Sequence, residues 1–304
     1  MTAGRTRRFL PLRGRTAGPR VEAWRGRHVM VTGGSSGIGR AFVRQVVARG
    51  AKVSVLALAD EDLDATAAEL GATGTAYTVV GLDVTDRDAV EVAVARATAA
   101  LGPCDVLLTC AGIAHPGYFE RLDDAIFRRT MEVDYFGTLH VVRAVVPSMI
   151  ERGHGSVVGI SSTAGLVGVF GYSAYSPPKF AVRGLLEVLR VELRPVGIHV
   201  GCVCPPDTDT PQLAYENRYK PAETFATSGA IKPFTAERVA ASIVRGMERG
   251  QFLISPDWQT QVVARTSGLL RGLWFGYFDA RVRAARQGRA SARAMPGQPT
   301  RPDR

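Results

Sequence analysis

The chain reads as an α/β protein, a doubly wound parallel sheet with helices on both faces in a single domain. Three observations predict this. Short runs rich in Val, Ile and Leu alternate with longer helical segments from residue 28 to residue 254. The short runs are apolar almost throughout, as strands buried on both faces must be. Glycines and small polar residues gather just after those strands, on the sheet edge where open α/β folds bind ligands.

The elements follow in order. His28-Val-Met-Val-Thr32 is a short strand that runs into Gly33-Gly-Ser-Ser-Gly-Ile-Gly39, with a helix predicted over 40–49. Strand, glycine turn and helix form the context a dinucleotide fingerprint needs. The glycines permit a tight turn and close backbone approach, and the helix N-terminus offers free N–H groups to a pyrophosphate. The candidate contacts are Gly33, Ser35, Ser36, Gly37, Ile38, Gly39 and Arg40. A strand over 52–58, a helix over 61–70 and a strand over 76–82 come next. Asp83-Val-Thr-Asp86 follows, where Thr85 or Asp86 can cap a helix running to Leu101. Strands over 104–110, 156–161 and 198–204 alternate with helices over 123–149 and 173–193. Residues 206–230, rich in Pro, Thr, Tyr and acids, read as a mobile segment able to cover a substrate. A helix over 236–249 and a short strand over 252–254 complete the sheet.

Charge and composition bound the function. The 304 residues carry a net charge of +10, but residues 1–27 hold eight Arg and one Glu, and residues 281–304 hold seven Arg and one Asp. The body between them is slightly acidic, so no nucleic-acid groove is expected. The layout is a disordered basic tail over 1–26, a dinucleotide-binding domain over 27–257, an apolar and aromatic helical segment over 258–286, and a second disordered tail over 287–304. Gly268–Phe278 is strongly apolar with one Arg. It fits either a helix packed on the domain or a peripheral membrane contact through 266–286. No uncharged apolar run reaches spanning length, and the basic start lacks a secretory apolar core. An organellar transit peptide stays open for that start. Cys104, Cys110, Cys202 and Cys204 lack metal-ligand spacing, so no metal site is expected, and they read as reduced thiols. The expected location is cytoplasmic, with membrane association as the alternative.

Chemistry is carried by Tyr175 and Lys179, four residues apart and so on one helix face if that turn is helical. A neighbouring ammonium lowers a phenol's pKa, which would make the pair a tuned acid/base group. Pro177 and Pro178 lie between them, and the helix is expected to start near 172–173 to absorb both.

These motifs, in this order, resemble the short-chain dehydrogenase/reductases over about residues 27–255. The carrying residues are Thr32-Gly-Gly-Ser-Ser-Gly-Ile-Gly39, Asp83, Cys110-Ala-Gly112, Ser162 and Tyr175-x-x-x-Lys179. The resemblance implies a Rossmann-type sheet, an NAD(P) cofactor and catalysis by Ser162, Tyr175 and Lys179. Asp134 stands where the family has Asn, leaving the local helix kink open. It further implies that Asp83 and Val84 meet the adenine, that Ala111 and Gly112 pack on its ribose side, and that Pro205, Thr208 and Thr210 flank the nicotinamide. Within the family the chain is similar to the 3-ketodihydrosphingosine reductases. The stretches are Ala174-Tyr-Ser-Pro-Pro-Lys-Phe180, Pro205-Pro-Asp-Thr-Asp-Thr-Pro211 and Glu216-Asn-Arg-Tyr-Lys-Pro221. This implies NADPH-dependent reduction of a long-chain lipid ketone. Ala57 and Leu58 supply neither the acid that selects NAD nor the Arg that selects NADP, so NAD is not excluded. Another lipid, sterol, retinoid or polyketide carbonyl is the alternative substrate, and an inactive nucleotide-binding scaffold the non-enzyme alternative. The helices over 123–149 and 173–193 are expected to pair subunits in a homodimer or homotetramer, although their apolar faces would also serve a monomer.

Overall fold

A computed structural model describes residues 18–228 and 232–293. The stretches 1–17 and 294–304, read above as disordered tails, lie outside the described residues, as do 229–231.

Six strands and a short seventh form one parallel sheet. They are β1 (His28–Thr32), β2 (Lys52–Ala57), β3 (Tyr77–Gly81), β4 (Val106–Thr109), β5 (Gly155–Ile160), β6 (Ile198–Val203) and, at the far edge, β9 (Leu253–Ile254), in the order β3-β2-β1-β4-β5-β6-β9. Strand order reverses between β1 and β4, so their carboxyl ends open a crevice. Two two-residue strands, β7 (Thr208–Asp209) and β8 (Phe234–Thr235), pair separately.

Side chains alternate across the pleat and feed two cores. Met30, Leu107 and Val157 face α3 (Arg87–Leu101), α5 (Gly137–Arg152) and α6 (Ser176–Leu193). Val29, Val31 and Leu108 face α1 (Gly37–Val47), α2 (Glu61–Gly71) and α9 (Ala236–Glu248). Phe42 of α1 and Met247 of α9 are fully buried there. Each such side chain contributes on the order of 1.5–3 kcal/mol of transfer free energy.

Several boundaries differ from the sequence reading. Helix α1 begins at Gly37, not residue 40, so the last glycines of the turn already lie inside its first turn. Asp86, not Thr85, caps α3, accepting from the Ala89 amide. The helix expected over 123–149 is α4 (Asp124–Met131), a π-helical turn over Glu132–Phe136, and α5. Residues 18–26 are packed rather than loose. Val21 donates its amide to the Met247 carbonyl, and Trp24 stacks edge-on against Phe42 while donating to Glu248. Their apolar contribution was hidden by the surrounding Arg residues.

Of the segment 206–230, the described residues 206–228 hold β7 and two helices. Thr210 caps α7 (Pro211–Glu216), with Pro211 at the first helical position, and α8 (Ala222–Ser228) follows. His115 Nδ1 lies 2.7 Å from the Tyr215 hydroxyl, tying α7 to the loop after β4. Beyond the sheet come α10 (Trp258–Thr266) and α11 (Arg271–Arg293). Helix α11 packs on α8 and continues past Arg286, so residues 287–293 belong to a helix and not to a disordered tail.

Candidate active site

The site is built where β1, β4, β5 and β6 end. Gly33 has φ +63°, and a Cβ there would sit 2.7 Å from the Ala111 nitrogen, so the turn can lie against the end of β4 only as glycine. At Gly112 a Cβ would meet Asp134 Oδ1 at 2.9 Å and Lys179 Nζ at 3.1 Å. The space these glycines leave belongs to a cavity of about 870 Å³. Gly33, Ser36, Gly37, Ile38, Ala111 and Gly112 line one end. Ser162, Tyr175 and Lys179 line the middle, with Pro205, Thr208 and Thr210 beside them. Tyr172, which binds Glu216, stands beside Tyr175, and Asp207 and the aromatic Trp258, Trp274 and Phe278 of α10 and α11 also line the cavity. A narrow glycine cradle at the start of a helix, opening into a longer chamber, fits a dinucleotide.

Six of the sequence candidates stand off the cavity wall. Gly39 packs beneath the turn, where a Cβ would strike the Gly33 carbonyl. Ser35 is buried and its carbonyl accepts from Thr66 at 3.3 Å. Arg40 is paired with Glu69 at 2.9 Å, and Arg44 binds the same carboxylate. Glu69 is partly desolvated, but these guanidiniums hold its pKa down at about 2, the Arg44 hydrogen bond being the larger influence. Asp83 accepts from the Thr85 amide and hydroxyl at 3.0 and 2.8 Å and pairs with Arg129 at 3.1 Å. Burial pushes its carboxyl up, but those contacts outweigh it and the net direction is down. Val84 is buried, close against Gly137. Asp134 is buried behind Lys179.

The three central side chains are tied to one another. Ser161 donates to the Lys179 carbonyl at 2.8 Å, fixing β5 to α6. Ser162 caps a single turn by accepting from the Ala164 amide at 3.1 Å, and its hydroxyl also reaches the Tyr175 phenol. Helix α6 starts at Ser176, later than expected, with Tyr175 as its cap already in helical conformation. Pro177 and Pro178 then occupy the first turn, where N–H groups have no intrahelical acceptor, so neither costs a hydrogen bond. The Lys179 amide still reaches the Tyr175 carbonyl at 3.4 Å. Lys179 Nζ lies 5.4 Å from the Tyr175 ring centroid, 3.3 Å from the Ile160 carbonyl and 3.4 Å from Asp134 Oδ2.

The electrostatics correct one expectation. Burial pushes the Tyr175 phenol up to about 12; Lys179 and Ser162 pull it down without prevailing. Burial pulls Lys179 down, but the Asp134 carboxylate and Tyr175 raise it further, so it stays an ammonium. Asp134 sits inside the π turn, which keeps the helix irregular there despite the substitution. Its Oδ1 accepts from the Ile113 amide at 2.8 Å. Burial raises its carboxyl against the pull of Lys179 and that amide.

Sequence reasoning gave no role to a second buried cluster. The Tyr172 hydroxyl donates to the Glu216 carboxylate, whose other oxygen accepts from Gln212 at 2.9 Å. Lys220 Nζ lies 3.1 Å from Asp207 and 3.8 Å from Glu216. The Tyr172 and Tyr175 rings are 5.5 Å apart. The spacing of Glu216 and Lys220 by four residues was the signal available.

A glycine turn at the switch point of a parallel sheet, feeding a buried serine, tyrosine and lysine, is the equipment of a dinucleotide-dependent oxidoreductase. The short chain dehydrogenase model matches residues 27–220. A 3-ketodihydrosphingosine reductase of Dictyostelium discoideum is 41% identical over 273 residues, 84% of this chain and 82% of that one. A 3-dehydrosphinganine reductase of Danio rerio is 41% identical over 242 residues, 76% and 72% of the two chains. The solved structure of a short chain dehydrogenase/reductase from Burkholderia phymatum in complex with NAD superposes with a TM-score of 0.73 at 23% identity, covering 82% of this chain and 95% of that one. The chain belongs to the short-chain dehydrogenase/reductase family, NAD(P)-binding oxidoreductases acting on C=O and CH–OH groups.

Proposed function

We propose that the protein reduces 3-ketodihydrosphingosine to dihydrosphingosine with NADPH. The observation that carries this reading is the continuity of the cavity. It runs from the glycine cradle past Tyr175 to the aromatic residues Trp258, Trp274 and Phe278, so a cofactor, a ketone and an apolar chain can lie in line. The bound dinucleotide supplies the hydride. Tyr175, protonated across the neutral range, donates its proton to the carbonyl oxygen, and Ser162 donates a hydrogen bond to the same oxygen as negative charge grows on it. Lys179 holds positive charge beside the phenol and so favours its loss of the proton. Asp134 anchors that lysine.

NADPH is favoured over NADH by the residues that close β2: Ala57 and Leu58 offer no acid to bind a free ribose hydroxyl. The test is cofactor oxidation by the purified protein with 3-ketodihydrosphingosine, using NADPH and NADH in parallel and Tyr175→Phe as the inactive control. Turnover of a short ketone but not of the long-chain substrate would sink the reading. A rate with NADH equal to that with NADPH would remove the cofactor preference.

Peripheral membrane contact fits the same end of the molecule. No helix among the described residues is long and apolar enough to cross a membrane. Yet Trp258, Leu269, Leu273 and Phe275 are exposed, with Arg265 and Arg271 among them. Co-sedimentation with anionic liposomes is expected, and is expected to fall when Leu269, Leu273 and Phe275 become Ser. Retention of binding by that variant would move the contact elsewhere. In the cytoplasm, such binding would bring the cavity to a lipid source. Phe180, Val188 and Val191 stay exposed on one face of α6 and fit subunit pairing as a homodimer or homotetramer; a single-chain mass by light scattering would refute it.

A further inference from the structure

Beside the catalytic phenol the cavity wall carries one more carboxylate than it has buried cations to balance it. Asp207 and Glu216 share Lys220, whose ammonium is 1% exposed. Lys220 sits closer to Asp207, at 3.1 Å, than to Glu216, at 3.8 Å. Glu216, nine-tenths buried, is otherwise held by neutral donors, the Tyr172 phenol and the Gln212 amide. A buried carboxylate left with mainly neutral partners is a costly arrangement unless a cation completes it. Of the other charges on the wall, Lys179 is committed to Asp134, Lys232 and Arg281 are exposed, with Arg281 lying over the Tyr277 ring, and Asp257 caps α10. Position supplies the second, independent observation. Glu216 binds Tyr172, whose ring lies 5.5 Å from that of Tyr175, and both tyrosines line the same chamber. The Glu216 charge is also felt at Tyr175, where it is among the influences that raise the phenol's pKa.

We propose that Glu216, with Asp207 behind Lys220, binds a protonated amine carried on the carbon next to the substrate carbonyl. The cluster thereby selects α-amino ketones over plain ketones of the same length. This rests on the reading of the cavity as a ketone-reductase site. A carbonyl oxygen between Ser162 and Tyr175 has its neighbouring carbon within a bond length or two of that oxygen's own carbon. An ammonium on that carbon must therefore find its counter-charge close to Tyr175, and Glu216 is the incompletely neutralised carboxylate on that side. The ammonium would add the charge-assisted hydrogen bond that Lys220, drawn toward Asp207, does not supply at close range.

The experiment compares kcat/KM for three chain-matched ketones in the full-length protein: 3-ketodihydrosphingosine, its N-acetyl derivative and the ketone lacking nitrogen. Wild type is expected to favour the free amine by about tenfold or more, the scale of one charge-assisted contact. In Glu216→Gln, which keeps a hydrogen-bonding group for Tyr172 and Gln212, that preference collapses, and in Glu216→Asp part of it returns. In Asp207→Asn it falls less. Equal use of the three ketones by wild type overturns the proposal, as does a Glu216→Gln variant that loses rate on all three alike. Cofactor binding followed by fluorescence reports whether each variant is folded; should Glu216→Gln fail there, the wild-type comparison and Asp207→Asn decide. Absence of turnover on every long-chain ketone would be a failure of the function reading instead. A short α-amino ketone against its plain analogue then still tests the Glu216 preference.

Discussion

Two buried lysines lie against the tyrosine pair, Lys179 over the Tyr175 ring and Lys220 over that of Tyr172, and their surroundings differ. Lys179, 5% exposed in its side chain, faces a single carboxylate, Asp134, which is fully buried. Lys220, 1% exposed, faces two, Glu216 at 8% and Asp207 at 43%. The first pair is balanced and sealed, and its surplus influence falls on the phenol. The second has surplus negative charge and opens on the chamber. On the proposed mechanism one lysine serves proton chemistry, and on the proposed amine contact the other organises a binding wall. Burial alone would not distinguish them; the number of carboxylates does.

The comparison can be broken in three places. Lys179→Met removes the charge beside the phenol and is expected to cut kcat by about a thousandfold. A rate within tenfold of wild type would show that the lysine is structural only. Lys220→Met leaves two carboxylates together with no cation between them. Loss of the buried partner is expected to cost about 3 kcal/mol of stability, read from urea unfolding. Unchanged stability would mean the cluster reorganises freely. Asp134→Asn is the mildest change. The carboxylate's negative charge opposes formation of the phenolate, so its removal makes Tyr175 easier to ionise. The same change takes from Lys179 the partner that raises its pKa. Ketone reduction needs the protonated phenol and the ammonium, so both effects move the alkaline limb of kcat toward lower pH. A limb that stays in place would separate Asp134 from the proton chemistry.

The same contrast explains what could be read from the sequence. The glycine turn, Ser162, Tyr175 and Lys179 act through short spacings and through strand ends, which the apolar pattern locates. The second cluster joins Tyr172 to Glu216 across 44 residues, and no periodicity links them. Its segment looked loose because Pro206, Pro211 and Pro221 punctuate it. Thr210 followed by Pro211 is in fact a helix start, and Glu216 with Lys220 spans one helical turn in spacing. The tuning of Tyr175 was legible only in part: the lysine's influence was visible, but its burial, which prevails, depends on packing from Tyr172, Ala114 and Ala164. Arg40 shows a similar limit, since its partner Glu69 lies on a different helix.

Pro177 and Pro178 have a consequence for the unfolded chain as well. A proline ring fixes φ near −65° whether or not the protein is folded. The residue before a proline is pushed away from the helical region, so Ser176 and Pro177 give back part of that gain on entering α6. The two fixed φ angles still leave the short tether between Tyr175 and Lys179 fewer shapes to give up when α6 forms. At positions that accept the ring without strain, each proline is worth roughly 0.4–1 kcal/mol in conformational entropy. Part of the cost of ordering Tyr175 against Lys179 is thus met by covalent structure, which leaves more of the packing free energy to offset the burial of their charges.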